Sequence, residues 1–468
     1  MPKLPDSPLT RTATTLAGTI LTGVSAALIV LLAVIELIGL GGGLRLQVAA
    51  YAILPGVLVL GLILIAIGLW RQSRRARRQE RAAGVPHARP ILDLNQAGTR
   101  RMLVSALLLG AAVLIILGGA GYRGIEVLDS TPFCSEACHS VMQPEASAHA
   151  RSPHADVDCV ECHIGPGALS FVKAKMNGTM EMIEVFLNNY PRPVPTPVHQ
   201  LRPARIVCEQ CHWPAAFVGD RLVIHTHYGE DAANTPTQTV LLLHVGGQAG
   251  KTNTGIHWHV GSGVRIRYLA DPSRKSIYSV ELTTPDGAQK TFKNDAVPPV
   301  DAEWRAMDCM DCHNRPTHIF RTPAQVIDVA LRDGTIDTSL PFVKREALRV
   351  LQTQYATQEQ ARTGISRDIA AFYSGNYPDV AANRAAAVTD AGKVLGDLWC
   401  DNVFPQMKVT WDTYANNLGH DQSPGCFRCH DNKHITAKAE KISKKCELCH
   451  AVVAQDEPAP QVLKDLQQ

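Results

Sequence analysis

The hydrophobic positions of this chain are concentrated near its amino terminus. Three nearly uninterrupted apolar runs cover about residues 16–38, 49–70 and 103–121. A helix needs roughly 20 apolar residues to cross the hydrocarbon core of a bilayer, so each run predicts a transmembrane helix. A cleavable signal peptide is the alternative for the first run, but that run is long, has no A-x-A site after it and precedes two further spans. The pattern predicts a three-helix membrane domain over residues 1–121.

The polarity pattern after the membrane domain changes several times along the chain. Alternating β-branched and aromatic residues, with a turn at Pro285-Asp286-Gly287, predict a small antiparallel sheet. The predicted regions are a loop-rich, proline-rich part 122–219, a β-rich insertion 220–300, a part 301–454 that is helical over 323–400, and a tail 455–468. The predicted fold class is therefore three transmembrane helices followed by a mostly α, loop-rich domain with a small antiparallel β insertion.

Charge predicts the orientation of the membrane domain. The loop 71–101 carries nine arginines against Glu80 and Asp93, a balance of +7. Short positive loops stay in the cytoplasm, so the amino terminus is cytoplasmic and the chain beyond about residue 122 lies outside. Glu36, the single charge in the first span, lies near its outer end. Two interpretations of Glu36 stay open: a proton-handling role, or an acid that reaches the headgroup layer.

The composition directs attention to cysteine and histidine. The net charge of +3 over 468 residues lacks the strong basic excess of a nucleic-acid-binding protein. Twelve of the thirteen cysteines form pairs, and each pair is followed directly by a histidine. Five motifs read C-x-x-C-H and the first has one extra residue. The pairs are Cys134 with Cys138, Cys159 with Cys162, Cys208 with Cys211, Cys309 with Cys312, Cys426 with Cys429, and Cys446 with Cys449.

This spacing is typical of covalent haem c attachment. Two thiols add to the two vinyl groups of haem, and the adjacent histidine becomes the proximal iron ligand. A zinc site or a redox dithiol could explain one C-x-x-C, but not five copies each followed by histidine in an exported chain. The sequence predicts six haems with proximal ligands His139, His163, His212, His313, His430 and His450. Cys400 has no partner and is interpreted as a buried structural thiol, with a singly attached seventh haem as the alternative.

Eleven further histidines remain as candidates for the distal iron positions, once His87 in the cytoplasmic loop is set aside. Neutral imidazole is a good iron ligand. Positions close to a motif, or within GIHWH and NNLGHD, favour His154, His259, His318, His420 and His434. A second group consists of His199, His225, His227, His244 and His257, and His149 could equally be a surface residue. The assignment of each histidine to a haem stays open.

Long stretches between residues 130 and 450 resemble a known family. They are FCSEACHSVMQPE, SPHADVDCVECHIGPGALSFVKAKMNG, NYPRPVPTPVHQLRPARIVCEQCHWP, IHWH, MDCMDCHNRPTHIF and FPQMKVTWDTY with GHDQSPGCFRCHD. On these residues the chain resembles the NapC/NirT-type membrane-anchored multihaem cytochromes c. It is most similar to their larger multi-span branch, the ImcH-like cytochromes.

The resemblance implies a function at the bacterial inner membrane. Quinol, for example menaquinol, would be oxidised at the periplasmic face, and electrons would pass along the haems to a periplasmic cytochrome or another membrane respiratory subunit. In this family the first haem lies over the quinol site, and a methionine after its motif often binds the iron. Met142 is the matching candidate, beside His139. A lysine after the second motif lies near the quinol in family members, and Lys173 or Lys175 corresponds to it.

Three functional hypotheses follow. The leading one is a quinol dehydrogenase. The alternative is an electron-wiring subunit of a larger respiratory or photosynthetic complex, which would co-purify with its partners and react little with quinol. The third is a terminal reductase, which requires a haem with an open iron position that binds and turns over an oxyanion.

Overall fold

The computed structural model describes residues 12–40, 43–83, 94–137, 139–165, 167–198, 202–213, 217–249 and 252–466. Cys138, His87, His199 and positions 84–93 of the predicted cytoplasmic loop lie outside the described residues. The chain divides into two compact units, Met1–Ala137 and Cys138–Gln468.

The first unit consists of long apolar helices. Its elements are α1 (Ala13–Leu37), α2 (Leu44–Val48), a π-helical turn (Ala49–Ile53), α3 (Leu54–Ala82), α4 (Ala97–Asp129) and a second π-helical turn (Phe133–Ala137). Three continuous helical segments of 25, 39 and 33 residues are long and apolar enough to cross a membrane, which confirms the prediction. Helix α3 continues beyond residue 70 because arginine, glutamine, glutamate and alanine are strong helix formers.

Close packing of small residues joins α1 to α3. A Cβ atom added at Gly18 would lie 2.7 Å from the backbone oxygen of Gly61, and one added at Gly61 would lie 2.8 Å from the backbone nitrogen of Thr22. Helices in a bilayer associate through such contacts, because lipid offers no hydrophobic driving force between them. The two glycines therefore allow the α1 and α3 backbones to touch.

This contact gives a matched pair of variants. We expect Gly18→Leu to separate α1 from α3 and to destabilise the membrane unit by about 1–3 kcal/mol or more, since the added side chain has no room. Gly23→Leu is the control, because a Cβ atom at Gly23 of the same helix meets nothing within 4 Å. Thermal unfolding in detergent measures both. Equal stability of the two variants would contradict the packing described.

The second unit is loop-rich, with short helices and strands. Its helices are α5 (His139–Ala150), α6 (Cys159–His163), α7 (Ala168–Phe186), α8 (Ala204–Cys208), α9 (Cys309–Cys312), α10 (Pro323–Arg332), α11 (Val343–Leu351), α12 (Gln358–Asn376), α13 (Pro378–Asn383), α14 (Ala385–Asn402) and α15 (Gln461–Asp465). Its strands are β1 (Arg221–Tyr228), β2 (Pro236–Leu243), β3 (Gly247–Ala249), β4 (Thr252–Thr254), β5 (Arg265–Ala270), β6 (Ile277–Thr283), β7 (Gln289–Lys293), β8 (Glu303–Ala306) and β9 (His450–Glu457).

The strands form small antiparallel sheets, as the fold class predicts. The described strands are arranged as β1-β2-β9, β3-β4 and β7-β6-β5-β8. The predicted turn at Pro285-Asp286-Gly287 joins β6 to β7, and Gly287 has a φ of 86° there. Strand β9 differs from the prediction, since it extends to Glu457, inside the predicted tail. It is ordered there because it pairs with β2, and Thr239 on β2 hydrogen-bonds Asp456.

Helices α10 to α14 have a hydrophobic core of their own. Trp399, Tyr373, Leu395 and Ile365 are among its fully buried side chains. No cysteine–histidine motif falls between His313 and Cys426 in the sequence, and the core of these helices consists mainly of apolar side chains. Cys400 is 4% exposed within it, as predicted for a structural thiol.

Candidate functional site

The regular motifs are built on short helical turns, except that His450 of the last motif is the first residue of β9. The backbone N–H of His212 donates to the carbonyl of Cys208 over 2.8 Å, and His313 and His430 make the same bond to Cys309 and Cys426. Side chains three and four residues apart lie on one face of such a turn. Both thiols and the imidazole of a C-x-x-C-H motif therefore face the same side, as attachment to one haem requires.

The first motif has a different backbone. Its extra residue coincides with the π-helical turn Phe133–Ala137, which carries Cys134. A π-helical turn contains one more residue than an α-helical turn and often occurs at functional sites. Cys138 and the side chain of His139 lie outside the described residues. Met142 lies on α5, one turn after His139, and is partly buried.

Among the described residues, five motif histidines each lie opposite a second histidine. The distances between ring centroids are 6.2 Å for His163 and His318, 6.0 Å for His212 and His154, 6.4 Å for His313 and His257, 5.9 Å for His430 and His259, and 6.4 Å for His450 and His420. Each pair combines the histidine of a motif with one outside the motifs.

These distances fit one iron ion between each pair of rings. An imidazole nitrogen binds a first-row metal at about 2 Å and lies about 1.2 Å from its own ring centre, so two imidazoles on opposite sides of one ion have centres roughly 6.3 Å apart. The observed separations of 5.9 to 6.4 Å agree with this value. The residues present therefore fit the axial positions of haem c.

Hydrogen bonds orient the second histidine in most pairs. The Nδ1–H groups of His154, His257, His259 and His318 donate to backbone carbonyl oxygens over 3.2, 2.9, 2.6 and 3.1 Å. A carbonyl only accepts, so Nδ1 carries the proton and Nε2 keeps its lone pair for a metal. Such bonds commonly fix metal-ligating histidines.

His434 has a different environment. Its Nδ1 lies 3.0 Å from Asp431 Oδ1, and its Nε2 lies 3.1 Å from the carbonyl oxygen of Ile277. The side chain is fully buried, with protein atoms bonded to both ring nitrogens. The structure therefore does not bring His434 opposite a described motif histidine, whereas it brings His257 there.

The other candidates have protein or solvent contacts. His149 is buried, and its Nε2–H donates to the Val157 carbonyl oxygen over 2.9 Å. His244 lies 3.1 Å from Asp220 and His227 lies 3.3 Å from Asp328, and His225 is exposed beside His227.

Burial favours the neutral form of four of the paired imidazoles. It lowers the pKa of His163, His259 and His313 and lowers that of His318 to about 4. Only neutral imidazole has a lone pair for a metal, so this environment favours ligation at neutral pH.

Consecutive motifs are neighbours in space. The thiols of Cys208 and Cys309 hydrogen-bond each other. Burial raises the pKa of other motif thiols, and thiols of the adjacent motif add to the effect: Cys211 acts on Cys162, Cys426 on Cys312, and Cys426 on Cys449. The second to sixth motifs therefore form a continuous series in chain order.

The two candidate lysines lie on α7. Lys173 is exposed, and the Lys175 ammonium lies 5.1 Å from the centre of the Phe171 ring. The same helix exposes large apolar side chains, among them Met176, Met180 and Phe186.

The membrane unit contains a polar cluster that the sequence did not reveal. Arg123 of α4 donates to Glu36 of α1 over 2.6 Å, and Tyr51 also donates to Glu36. Glu36 itself was noted in the sequence. Arg123 has a sequence signal as well, since it is a charge just after the third apolar run.

An apolar helical anchor followed by attachment motifs with paired histidines defines a membrane-type multihaem c-type cytochrome. The model of the NapC/NirT cytochrome c family, N-terminal region, matches residues 97–195. The chain is 41% identical to the cytochrome c-type protein ImcH of Geobacter sulfurreducens over 447 residues, which are 94% of this chain and 87% of ImcH. The chain therefore belongs to the NapC/NirT cytochrome c family, in its ImcH-like branch. No solved structure matches it.

Proposed function

We propose that the protein is a hexahaem quinol dehydrogenase of the bacterial inner membrane. It would oxidise quinol at the periplasmic face and pass electrons to a periplasmic acceptor or to another membrane respiratory subunit. The observation that carries this proposal is the continuous series of motifs with opposed histidines, joined in one chain to three apolar helices. A series of closely spaced haems transfers single electrons over a distance that no one haem spans.

The proposed cofactor-binding residues are the twelve paired cysteines, which attach six haems. The proposed iron ligands are the five observed histidine pairs. They include His257, a candidate of the second group in the sequence, and leave out His434, which the sequence favoured. For the first haem the proposed ligands are His139 and Met142. The haems supply one-electron redox chemistry when bound.

The side chains of this protein hold those haems in place and set their environment. Carbonyl-bonded Nδ1 atoms fix the ring orientation, so neither ligand has to move when the iron changes oxidation state. Two histidines at each of five irons leave no open position there for an oxyanion, which argues against a terminal reductase. The basic loop after α3 supports the proposed orientation, with the haem region on the periplasmic side.

Quinol reactivity tests the proposal directly. We expect anaerobic menaquinol analogue to reduce the detergent-solubilised protein rapidly, as followed at the haem absorption bands. Lys173→Met and Lys175→Met are expected to slow this reduction several-fold, because a cation near the ring stabilises the anion formed as quinol loses a proton. Lys464→Met on α15 is the matched control.

Two results would contradict the proposal in different ways. Reduction by dithionite but not by quinol would leave the electron-wiring alternative. Equal rates in the three lysine variants would keep quinol oxidation and remove the two lysines from the site.

A further inference from the structure

The membrane unit contains an open cavity. Its volume is about 490 Å³, which is within the range of small-molecule sites. Its lining combines apolar and polar residues from α2, from the end of α4 and from the segment that follows: Gly43, Leu44, Gln47, Arg123, Glu126, Val127, Ser130, Pro132 and Glu136.

The position of the cavity relates it to the first motif. Glu136, in its wall, lies between the two cysteines of that motif, on the π-helical turn that carries Cys134. Both ends of the lining, α2 and the end of α4, are on the side that the positive loop assigns to the outside. A ring bound here would therefore lie beside the first haem attachment turn.

One cation at the cavity, Arg123, forms ion pairs with two carboxylates, those of Glu36 and Glu126. The Arg123 guanidinium binds Glu36 through one nitrogen and Glu126 through the other. Glu36 receives two more hydrogen bonds, from the Tyr51 hydroxyl and from Gln47. Two carboxylates thus share one cation, and one of them can take up a proton while Arg123 stays paired with the other.

Glu126 is the better proton acceptor of the two. It lines the cavity directly, its side chain is 40% exposed, and it has two donors, Arg123 and the Tyr122 hydroxyl. The side chain of Glu36 is 24% exposed and has three donors. Ionisable groups at membrane depth are costly and commonly functional. Glu36 and Tyr51 would then act as positioning residues, which hold Arg123 against the cavity.

We propose that this cavity binds the quinol ring and that Glu126 accepts a proton from a quinol hydroxyl. The inference rests on the proposed quinol oxidation and assigns its site. The quinol would lose two protons and two electrons and become the quinone. The electrons would leave one at a time to the haem attached at Cys134, and each proton would pass from Glu126 to outside water. Glu36 and Tyr51 lie on α1 and in the turn before α3, outside the residues that the family model matches.

Glu126→Gln tests the proton step. We expect quinol oxidation at neutral pH to fall by about 10²-fold or more, the usual contribution of a general base. The pH profile of the rate should also differ between the wild type and the variant, because the variant lacks the carboxylate. The ionisable groups around Glu126 are Arg123, Tyr122, Glu36, Tyr51 and Glu136. Asp129→Asn, on the same helix but outside the lining, is the control and should keep the wild-type rate and pH profile.

Binding of a redox-inert quinone analogue tests the cavity separately from electron transfer. We expect Leu44→Trp, which fills the cavity, to abolish binding, and Glu126→Gln to retain it within a few-fold. Dithionite reduction and haem content should stay at wild-type values in every variant. A wild-type rate in Glu126→Gln, an equal loss in Asp129→Asn, or unchanged binding in Leu44→Trp would overturn the inference.

The two proposals fail differently. If quinol does not reduce the wild-type protein but the analogue binds and Leu44→Trp abolishes binding, quinol dehydrogenase activity is wrong and the cavity remains a quinone site. If quinol reduces the wild-type protein and the cavity variants behave normally, quinol oxidation stands and takes place elsewhere.

Discussion

Replacing His257 by alanine is expected to make one haem high-spin while the others stay low-spin. His257 lies 6.4 Å from His313 across the proposed iron position, and its loss leaves that iron with one protein ligand. About one-sixth of the haem should then show a high-spin signal in electron paramagnetic resonance and absorption spectra, since axial ligation governs these properties. Added imidazole should restore the low-spin signal.

His434→Gln is the control for this experiment. His434 contacts Asp431 and the Ile277 carbonyl through its two ring nitrogens, so all haems should stay low-spin in this variant. A high-spin haem in His434→Gln, with none in His257→Ala, would reverse the assignment and restore the ligand set inferred from the sequence.

The second large effect concerns stability. We expect Asp328→Ala to destabilise the second unit by about 3–5 kcal/mol, because it leaves Lys344 buried without its counter-charge. Lys344 Nζ lies 2.5 Å from Asp328 Oδ1, and the two side chains are 4% and 10% exposed. Asp328 also accepts from the backbone N–H of Tyr228 over 3.1 Å, so it ties β1 to the helices. Denaturant unfolding followed by circular dichroism measures the change.

Two further variants isolate the cause. The double variant Asp328→Leu with Lys344→Met should recover most of the lost stability, since it removes both charges from the interior. Asp333→Ala breaks the exposed pair with Arg332 at the end of α10, in which both side chains are about half exposed, and should leave the unfolding midpoint unchanged. If Asp328→Ala is as stable as Asp333→Ala, the buried ion pair does not stabilise the fold as described.

The local sequence identified candidate distal histidines better than it identified the motif histidine that each of them faces. His154 precedes the second motif but faces His212 of the third, and His318 follows the fourth motif but faces His163 of the second. A motif determines its own proximal histidine through one helical turn. Only the tertiary fold brings the opposite ring into place.

The GIHWH segment shows why His257, rather than His434, faces a motif histidine. Residues 256–260 form a 3₁₀ turn, in which side chains two positions apart point to different sides. His257 and His259 therefore reach two different motif histidines, His313 and His430. Adjacency to a motif favoured His434 instead, and the hydrogen bonds that occupy its ring nitrogens come partly from a strand far away in sequence.

The membrane helices were predictable from apolar run length alone, but the Glu36–Arg123 pair was not. These residues are 87 positions apart, and their meeting depends on how α1 and α4 pack. Periodicity shows which residues can enter a bilayer. It does not show which charged residues meet there.

Strand β9 has a consequence for the biogenesis of the protein. It begins at His450, directly after the last cysteine pair, and it supplies the third strand of the sheet that starts at residue 221. During synthesis the β2 edge therefore stays open until residues 450–457 have emerged, and open strand edges invite aggregation. Haem attachment at the proposed Cys446–Cys449 site and closure of this sheet would thus be neighbouring events in maturation. A chain cut short before Cys446 would keep an exposed edge that proteases and chaperones can recognise.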